Sequence, residues 1–374
     1  MYDVVVVGRG LTGLLTAIWS KEFADKVAVV AQGTGKILQS TGLFDMTPGN
    51  EETDNPFINK DVAGEAVKKF LDLTKRLGYP YQGSLDKPVP VVTGAGFIKY
   101  TTLYPETVTP VPNKGHVVIV GFEEIADFQP AYVKGNLETE RPELKIDAIK
   151  VRLGAKSLRT LTQNDAARLL DRREIRERVI EQIKTKMAEQ NIEQPRLFIF
   201  PASLGIENWK EVVQHFHESL GTPVTEAPGM PPNATAVRLY GALKKEATKL
   251  GIRFYLDTQV QGSKIENNKV SYLNIKNNGK TVPLKGQHFV NAGGGVLGGG
   301  LVVTHKGLKD SVFGLDVDEN GEYKACPENV ALVGASHGKK VLKYGITGGI
   351  FSIQSSYECC MKLEKSLTGG IVHA

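Results

Sequence analysis

Three glycines near the N-terminus, Gly8, Gly10 and Gly13, are spaced G-x-G-x-x-G in the stretch MYDVVVVGRGLTG. Such a spacing acts through the backbone alone. The first glycine permits a tight turn, the second lets the main chain approach a pyrophosphate, and the third lets a helix touch a strand. The phosphates would rest on free N–H groups at the helix N-terminus. Few polar residues stand close in sequence to this or the later glycine loops: Lys99, Arg238, His305, His337 and Lys343. His337, just after the last expected strand, has the right kind of side chain for a base near neutral pH, or is an exposed loop histidine. Arg238 binds a phosphate or makes a surface ion pair at a helix start.

The elements around the first glycines are those the chemistry needs. Val4 to Val7 is a β-branched run suited to a strand buried on both faces. Leu11, Leu14, Leu15 and Ile18 recur at helical spacing, and Val27 to Ala31 supplies the second strand of a βαβ unit. A carboxylate commonly ends that second strand and holds ribose hydroxyls; here the position is Gln32, followed by Gly33. An amide accepts a hydrogen bond without the strength a charge adds. The stretch GTGK, 33–36, lacks the spacing and the Ser/Thr of a P-loop.

Farther on, a helix is expected over about 62–77, then short strands and turns, a buried strand GHVVIVGF at 115–122, and a helix over EEIADFQPAYVKGNL. ELKIDAIKVRL alternates as a strand, and 164–190 reads as one highly charged helix. Its acids and bases alternate, which fits a solvated face rather than a membrane or nucleic-acid surface. PRLFIFPASLGI is a buried strand, and 237–250 is an amphipathic helix. From Val260 to Val282 the pattern alternates around Asn-Asn and Asn-Gly pairs, an antiparallel meander. HFVNAGGGVLGGG carries a strand into a glycine loop, NVALVGAS is a last strand, and GITGGIF opens a C-terminal helix. The fold class is therefore α/β: a Rossmann-like FAD-binding domain with a small antiparallel meander and an inserted α/β domain. Residues 1–50 and 230–374 form the discontinuous flavin-binding domain, and 51–229 the inserted substrate or partner domain. A nicotinamide enzyme needs no distant strand–glycine–helix at the C-terminus. FAD does, because its isoalloxazine lies far from its adenine, so FAD is preferred to NAD.

The bulk properties exclude several classes. A formal charge of +5 over 374 residues demands neither nucleic acid nor a membrane surface. Cys326, Cys359 and Cys360 include no C-x-x-C pair, and His215 and His217 sit two apart on a helix, so no metal set is expected. No apolar run approaches the roughly 18 residues of a membrane span, and no leader is evident, which points to the cytoplasm.

Taken together, VVVGRGLTGLLTA, QSTGLFDM, VIVGFEEIADFQ, FIFPASLGI, MPPNATAVRL, FVNAGGGVLGGGLVV, VFGLDV, NVALVGASHGK and GITGGIFSIQSS resemble one subunit family of the anaerobic glycerol-3-phosphate dehydrogenases, the one designated B. The resemblance implies a flavoprotein that partners a larger catalytic flavoprotein subunit and an iron–sulfur subunit, which passes electrons to membrane quinone. It implies oxidation of sn-glycerol 3-phosphate to dihydroxyacetone phosphate, with FMN as the family's usual flavin where the motif favours FAD. Cofactor contacts are expected from Gly8, Gly10, Gly13, Gln32 and Gly33, from Ser40, Thr41 and Gly42, and from Val260. The later glycine segments add Ala292, Gly293 and Gly294, Gly334 and Ala335, and Gly348 and Gly349. His337 and Arg238 are the catalytic candidates. Gly334-Ala335 stands where FAD enzymes often carry Gly-Asp, and KKVLK at 339–343 is unusually basic for the family. An electron-relay scaffold with little chemistry, or a stand-alone flavin oxidoreductase for another small substrate, are the other readings.

Overall fold

Val4, Val5, Val6 and Val7 are each at most 7 % exposed, which makes their strand a central one. In the computed structural model of the protein, the residues described are 1–46, 58–154, 160–305, 307–318, 322–337 and 348–369. In chain order the elements begin β1 (Tyr2–Val7), α1 (Leu11–Ser20), β2 (Val27–Ala31) and α2 (Lys60–Arg76). Short strands follow: β3 (Tyr81–Gly83), β4 (Val89–Val92), β5 (Ile98–Thr101) and β6 (Leu103–Pro105). Then come β7 (Gly115–Phe122), α3 (Pro130–Glu140), β8 (Leu144–Val151), α4 (Gln163–Leu170), α5 (Arg173–Glu189) and β9 (Leu197–Pro201). Next are α6 (Trp209–Leu220), β10 (Val224–Ala227), α7 (Ala234–Lys249), β11 (Arg253–Leu256), β12 (Gln259–Glu266), β13 (Lys269–Asn277) and β14 (Lys280–Asn291). The chain closes with β15 (Leu301–Thr304), β16 (Gly307–Asp310), β17 (Asp316–Val317), β18 (Val330–Leu332) and α8 (Gly348–Leu367).

Two compact units result: 1–37, 45–78 and 240–374 form the first, and 38–44 with 79–239 the second. In the first, the sheet order is β11-β2-β1-β14-β13-β12, with β18 also on β14. Strands β11, β2, β1, β14 and β18 run parallel, whereas β14 and β12 pair antiparallel with β13. Strand β14 thus belongs to both parts, its first half in the meander and its second half beside β1. The meander turns are those its asparagines announce: Asn267 and Asn268 have φ of 49° and 58°, Asn278 and Gly279 of 48° and 78°. Positive φ at both central residues matches the twist of a two-residue hairpin. The observed fold is α/β and Rossmann-like, as the sequence indicates. In the second unit a parallel sheet, β10-β9-β7-β8, holds the core, with hairpins β4–β5 and β3–β6 beside it.

Three expectations change. The helix expected from Glu123 starts only at Pro130, because the residue before a proline is held extended; Gln129 has φ −114° and ψ 106°. The charged stretch 164–190 is two helices. A Thr162–Asp165 capping box starts α4. Helix α4 ends at its C-cap Asp171 and the backbone turns extended at Arg172 (φ −91°, ψ 122°), while the Asp171 carboxylate accepts from the N–H groups of Ile206, Glu207 and Asn208. Helix α2, placed by sequence in the insertion, packs within the first unit. There Asn59 N–H donates to Gln354 Oε1 at 3.1 Å, and the Lys69 ammonium lies 5.7 Å from the Trp19 ring centre.

Candidate functional site

All the parallel strands of the first unit point their carboxyl ends at one edge, and β1 lies between β2 and β14 there. In open α/β sheets this crevice is where ligands bind. The chain leaves β1 at Gly8, whose φ of 114° suits glycine and whose hypothetical Cβ would stand 2.2 Å from the Ala292 carbonyl oxygen. Gly13 is as confined, with a Cβ position 2.0 Å from the Gly8 carbonyl oxygen. Close packing of turn, helix and β14 therefore dictates both residues. Gly10 is different. Its backbone is extended (φ −73°, ψ −168°), and a Cβ there would meet nothing nearer than the Gly35 Cα at 3.9 Å. Neither conformation nor packing requires a glycine at 10. It also stands at the N-cap of α1 with no side-chain hydrogen bond to the first turn. A bare backbone at a helix N-terminus, with nothing nearer than 3.9 Å to its Cβ position, fits a phosphate-bearing nucleotide. Arg9 Nε donates to the Gly33 carbonyl at 2.8 Å and ties this loop to the exposed end of β2, where Gln32 lies.

Beside it, β14 ends at Asn291 and leads into Ala292, Gly293 and Gly294. The Asn291 side chain is fully buried and its Oδ1 accepts from Gly293 N–H (3.0 Å) and from the Ser336 hydroxyl (3.2 Å). Ser336 Oγ in turn accepts from Gly294 N–H at 3.2 Å. Asn291 Nδ2 donates to Asp310 Oδ2 at 3.3 Å, and Asp310 Oδ1 also accepts from Val312 N–H and Phe313 N–H. Burial pushes the Asp310 carboxyl up to about 6, against those backbone donors and the Asn291 amide, which favour its charge. Because the folded protein holds that proton more tightly than the unfolded chain, protonation favours folding. The contribution is complete below 3.8 and is lost as pH rises through about 6. At neutral pH the protein thus carries a costly buried charge.

Gly334 and Ala335 open a short 3-10 turn, 334–337, after β18. Gly334 N–H donates to Ser355 Oγ of α8 at 2.9 Å, and Ser356 Oγ of the same helix donates to the Thr12 carbonyl at 3.2 Å. Gly348 and Gly349 begin that helix. His337 ends the turn half-buried, edge-on to Phe351 with ring centres 5.6 Å apart. Within this unit the structure brings together Gly8, Gly10, Gly13, Ala292, Gly293, Gly294 and Gly334. Val260 lies in β12 against the meander core. Lys343 and the 339–343 basic run lie outside the described residues, and His305 is exposed. A groove of about 500 Å³ lined by Arg253, Tyr255, Asn277 and Lys280 shares no residue with these loops.

Other expected site residues lie in the second unit. Ser40, Thr41 and Gly42 are structural there: Ser40 and Thr41 carbonyls accept from Asn233 Nδ2 and Thr235 Oγ1, and the Gly42 carbonyl from the Tyr81 hydroxyl. Lys99 is in β5. Arg238 is neither a surface ion pair nor an available phosphate ligand. It is 5 % exposed and clamps Glu226 through two nitrogens, at 2.7 and 2.9 Å. Its remaining donors go to the Gly205 carbonyl, Thr107 and Tyr79. Burial alone lowers the guanidinium pKa, but the Glu226 carboxylate beside it outweighs this and raises it. Every donor is engaged, which corrects the catalytic expectation for this residue. His215 Nδ1 faces Arg176 Nε at 3.3 Å, and among the described residues no three His, Cys, Asp or Glu side chains cluster to hold a metal.

The sequence reading missed Asn291, Asp310 and Ser336. Only a buried polar residue closing an apolar strand, as Asn291 does in HFVNAGGG, hints at the first of them.

No protein-family model matches the chain. Among solved structures it is similar to a 3-ketosteroid delta1-dehydrogenase from Sterolibacterium denitrificans (TM-score 0.35, 15% identity, 79% of this chain, 48% of that one). It is also similar to L-proline dehydrogenase from P. horikoshii (TM-score 0.30, 15% identity, 79% and 53%). The fold assignment itself rests on the strand order above. Among the described residues no helix is long and apolar enough to cross a membrane. Curated relatives cover more of the chain. A Pectobacterium atrosepticum protein is 27% identical over 348 residues, spanning 84% of this chain and 80% of its own. One from Mannheimia succiniciproducens is 25% identical over 364 residues, 87% and 81%. A third, from Yersinia enterocolitica, is 23% identical over 349 residues, 84% and 80%. All three are named as the same subunit of anaerobic glycerol-3-phosphate dehydrogenase, so the chain is similar over most of its length to that subunit, as its own motifs indicate.

Proposed function

We propose that the protein is a flavin-binding subunit of an anaerobic glycerol-3-phosphate dehydrogenase, and that it works within a complex rather than alone. The observation that carries the cofactor reading is Gly10, a glycine that packing does not require, at the uncapped start of α1. The substrate comes from the shared name of the relatives. Flavin, when bound, supplies the two-electron acceptor for oxidation of sn-glycerol 3-phosphate to dihydroxyacetone phosphate. The chain's part is to hold the phosphates on the 8–13 turn, to present the 292–294 and 334–335 loops, and to exclude water. Electrons then pass via an iron–sulfur subunit toward quinone, within a complex that also holds a larger catalytic flavoprotein subunit, and this chain is attached to the membrane through these partners. FAD is the flavin we favour and FMN the alternative. The unit of residues 1–37, 45–78 and 240–374 holds it, and the other unit serves substrate or partner. His337, at the rim of the 334–337 turn, is the remaining candidate for a proton acceptor. Purified protein should show a flavin absorption band, and heat should release an intact flavin whose chromatographic mobility names it. A colourless chain that takes up neither FAD nor FMN would overturn the proposal.

Gln32 separates the two flavins. Only FAD has an adenine ribose, and a carboxylate accepting its hydroxyl is worth about 1.5–3 kcal/mol against about 1 kcal/mol for an amide. Gln32→Glu is therefore expected to tighten FAD by about tenfold and leave FMN unchanged. Titration of the apoprotein with each flavin checks this; an equal response to both, or none to FAD, places the adenosine elsewhere.

A further inference from the structure

The Asp310 carboxylate is buried to 1 % exposure and carries a charge at neutral pH, yet it reaches the glycine loops only through Asn291. Each hydrogen bond in that relay has one allowed direction. Gly293 N–H can only donate, so Asn291 must turn its oxygen toward it; Asn291 Nδ2 must then point at an acceptor, and the atom it meets is Asp310 Oδ2. Ser336 spends its one hydroxyl proton on Asn291 Oδ1 and is thereby left to accept from Gly294 N–H. A second clamp closes the far side of the loop: Ser311, next to Asp310, donates its hydroxyl to the Gly299 carbonyl at 2.7 Å, and its N–H to the Gly300 carbonyl at 3.0 Å. A neutral acceptor, less costly to bury, would serve the fold alone.

We propose that Asp310 is a positioning residue for the cofactor site: it locks the Asn291 amide in one orientation, and that amide sets the 293–294 loop and the 334–337 turn. The proposal rests on the flavin reading of those loops. It assigns Asp310, Asn291 and Ser336 one task, holding two N–H groups inward so that the loop presents a fixed surface. The titratable groups facing Asp310 are Tyr323, whose buried hydroxyl burial pushes far up, and Cys326, whose thiol burial also raises. Both stay neutral near pH 7, so they neither neutralise the carboxylate nor compete with Asn291 for it.

Asp310→Asn tests the lock, because its amide can still accept from Val312 and Phe313 but sets an NH₂ against the Asn291 NH₂. Asn291 must then flip or withdraw, and Gly293 loses its acceptor. In the apoprotein, hydrogen exchange at Gly293 and Gly294 is expected to accelerate by about tenfold, the effect of one hydrogen bond, with the β1 amides unchanged. Flavin affinity should fall by a similar factor. The swap Asp310→Asn with Asn291→Asp restores every donor–acceptor direction and should return both readouts to near wild type. Unchanged exchange in the single variant, or loss that the swap does not repair, overturns the proposal. If the single variant does not fold, the swap decides: native protection at Gly293 and Gly294 supports the lock, and an unfolded swap sinks it. Exchange is read without flavin, so a positive result there beside absent flavin binding would condemn the cofactor reading and leave the lock standing.

Discussion

Gly10→Val is expected to lose flavin while keeping its fold. The Cβ of the added side chain meets nothing nearer than the Gly35 Cα at 3.9 Å on extended backbone, so the stability cost is that of a poor N-cap residue, about 1 kcal/mol. The same side chain occupies the place where a phosphate would approach. Displacing it from two charge-assisted contacts of about 1.5 kcal/mol each weakens binding by about 100-fold. Gly8→Ala and Gly13→Ala should behave in the opposite way, failing to fold, because their Cβ atoms would lie 2.2 and 2.0 Å from backbone carbonyl oxygens. Thermal melting beside flavin stoichiometry checks all three. Full flavin in Gly10→Val would place the phosphates elsewhere, and a melting temperature lowered as far as in Gly8→Ala would show that the glycine serves packing after all.

Arg238→Ala should be the most destabilising single change in the second unit. It leaves the Glu226 carboxylate, itself 1 % exposed, buried without its cation, and breaking such a pair costs about 3–5 kcal/mol. Glu226 would retain the Leu204 N–H, at 2.7 Å, a neutral donor that cannot replace a cation. The chain's two tryptophans make the effect readable. Trp209 lies 5.2 Å from Tyr79 in the second unit, while Trp19 is in α1 of the first. In a Trp19→Phe background, Trp209 fluorescence reports the second unit alone, and its denaturant midpoint should fall sharply in Arg238→Ala. Arg238→Met with Glu226→Leu should recover part of the loss, since it removes the unpaired charge but leaves the Leu204 N–H and the Gly205 carbonyl without their side-chain partners. A midpoint unchanged in Arg238→Ala would mean the pair is not the structural clamp its geometry indicates.

What is legible in the sequence is local. The β1–α1–β2 unit shows in valines followed by helical spacing, and the meander turns show in Asn-Asn and Asn-Gly, because each signal lies within a few residues of its cause. Arg238 reads wrongly from sequence because its partner Glu226 stands in another element, and nothing in AVRL announces that a guanidinium will be enclosed. The break after Asp171 is hidden for the same reason: the Asp171 carboxylate is held by amides at 206–208. Asp310, Asn291 and Ser336 come together only when β14, β16 and the turn after β18 meet. Polar networks of this kind have no periodicity, so a one-dimensional reading finds the loop glycines and misses the side chains hydrogen-bonded to them.

Dependence of this flavin subunit on its complex is tested by anaerobic stopped-flow reduction of the bound flavin by glycerol 3-phosphate. The chain should be mixed with substrate alone, and then together with the larger flavoprotein subunit. On the proposed FAD reading, Gln32 and Ala335 replace carboxylates that would hold ribose and ribityl hydroxyls, and Arg238 is committed to Glu226. Slow or absent reduction alone and rapid reduction in the complex is the predicted result. Reduction of the lone chain at the rate of the complex would contradict it.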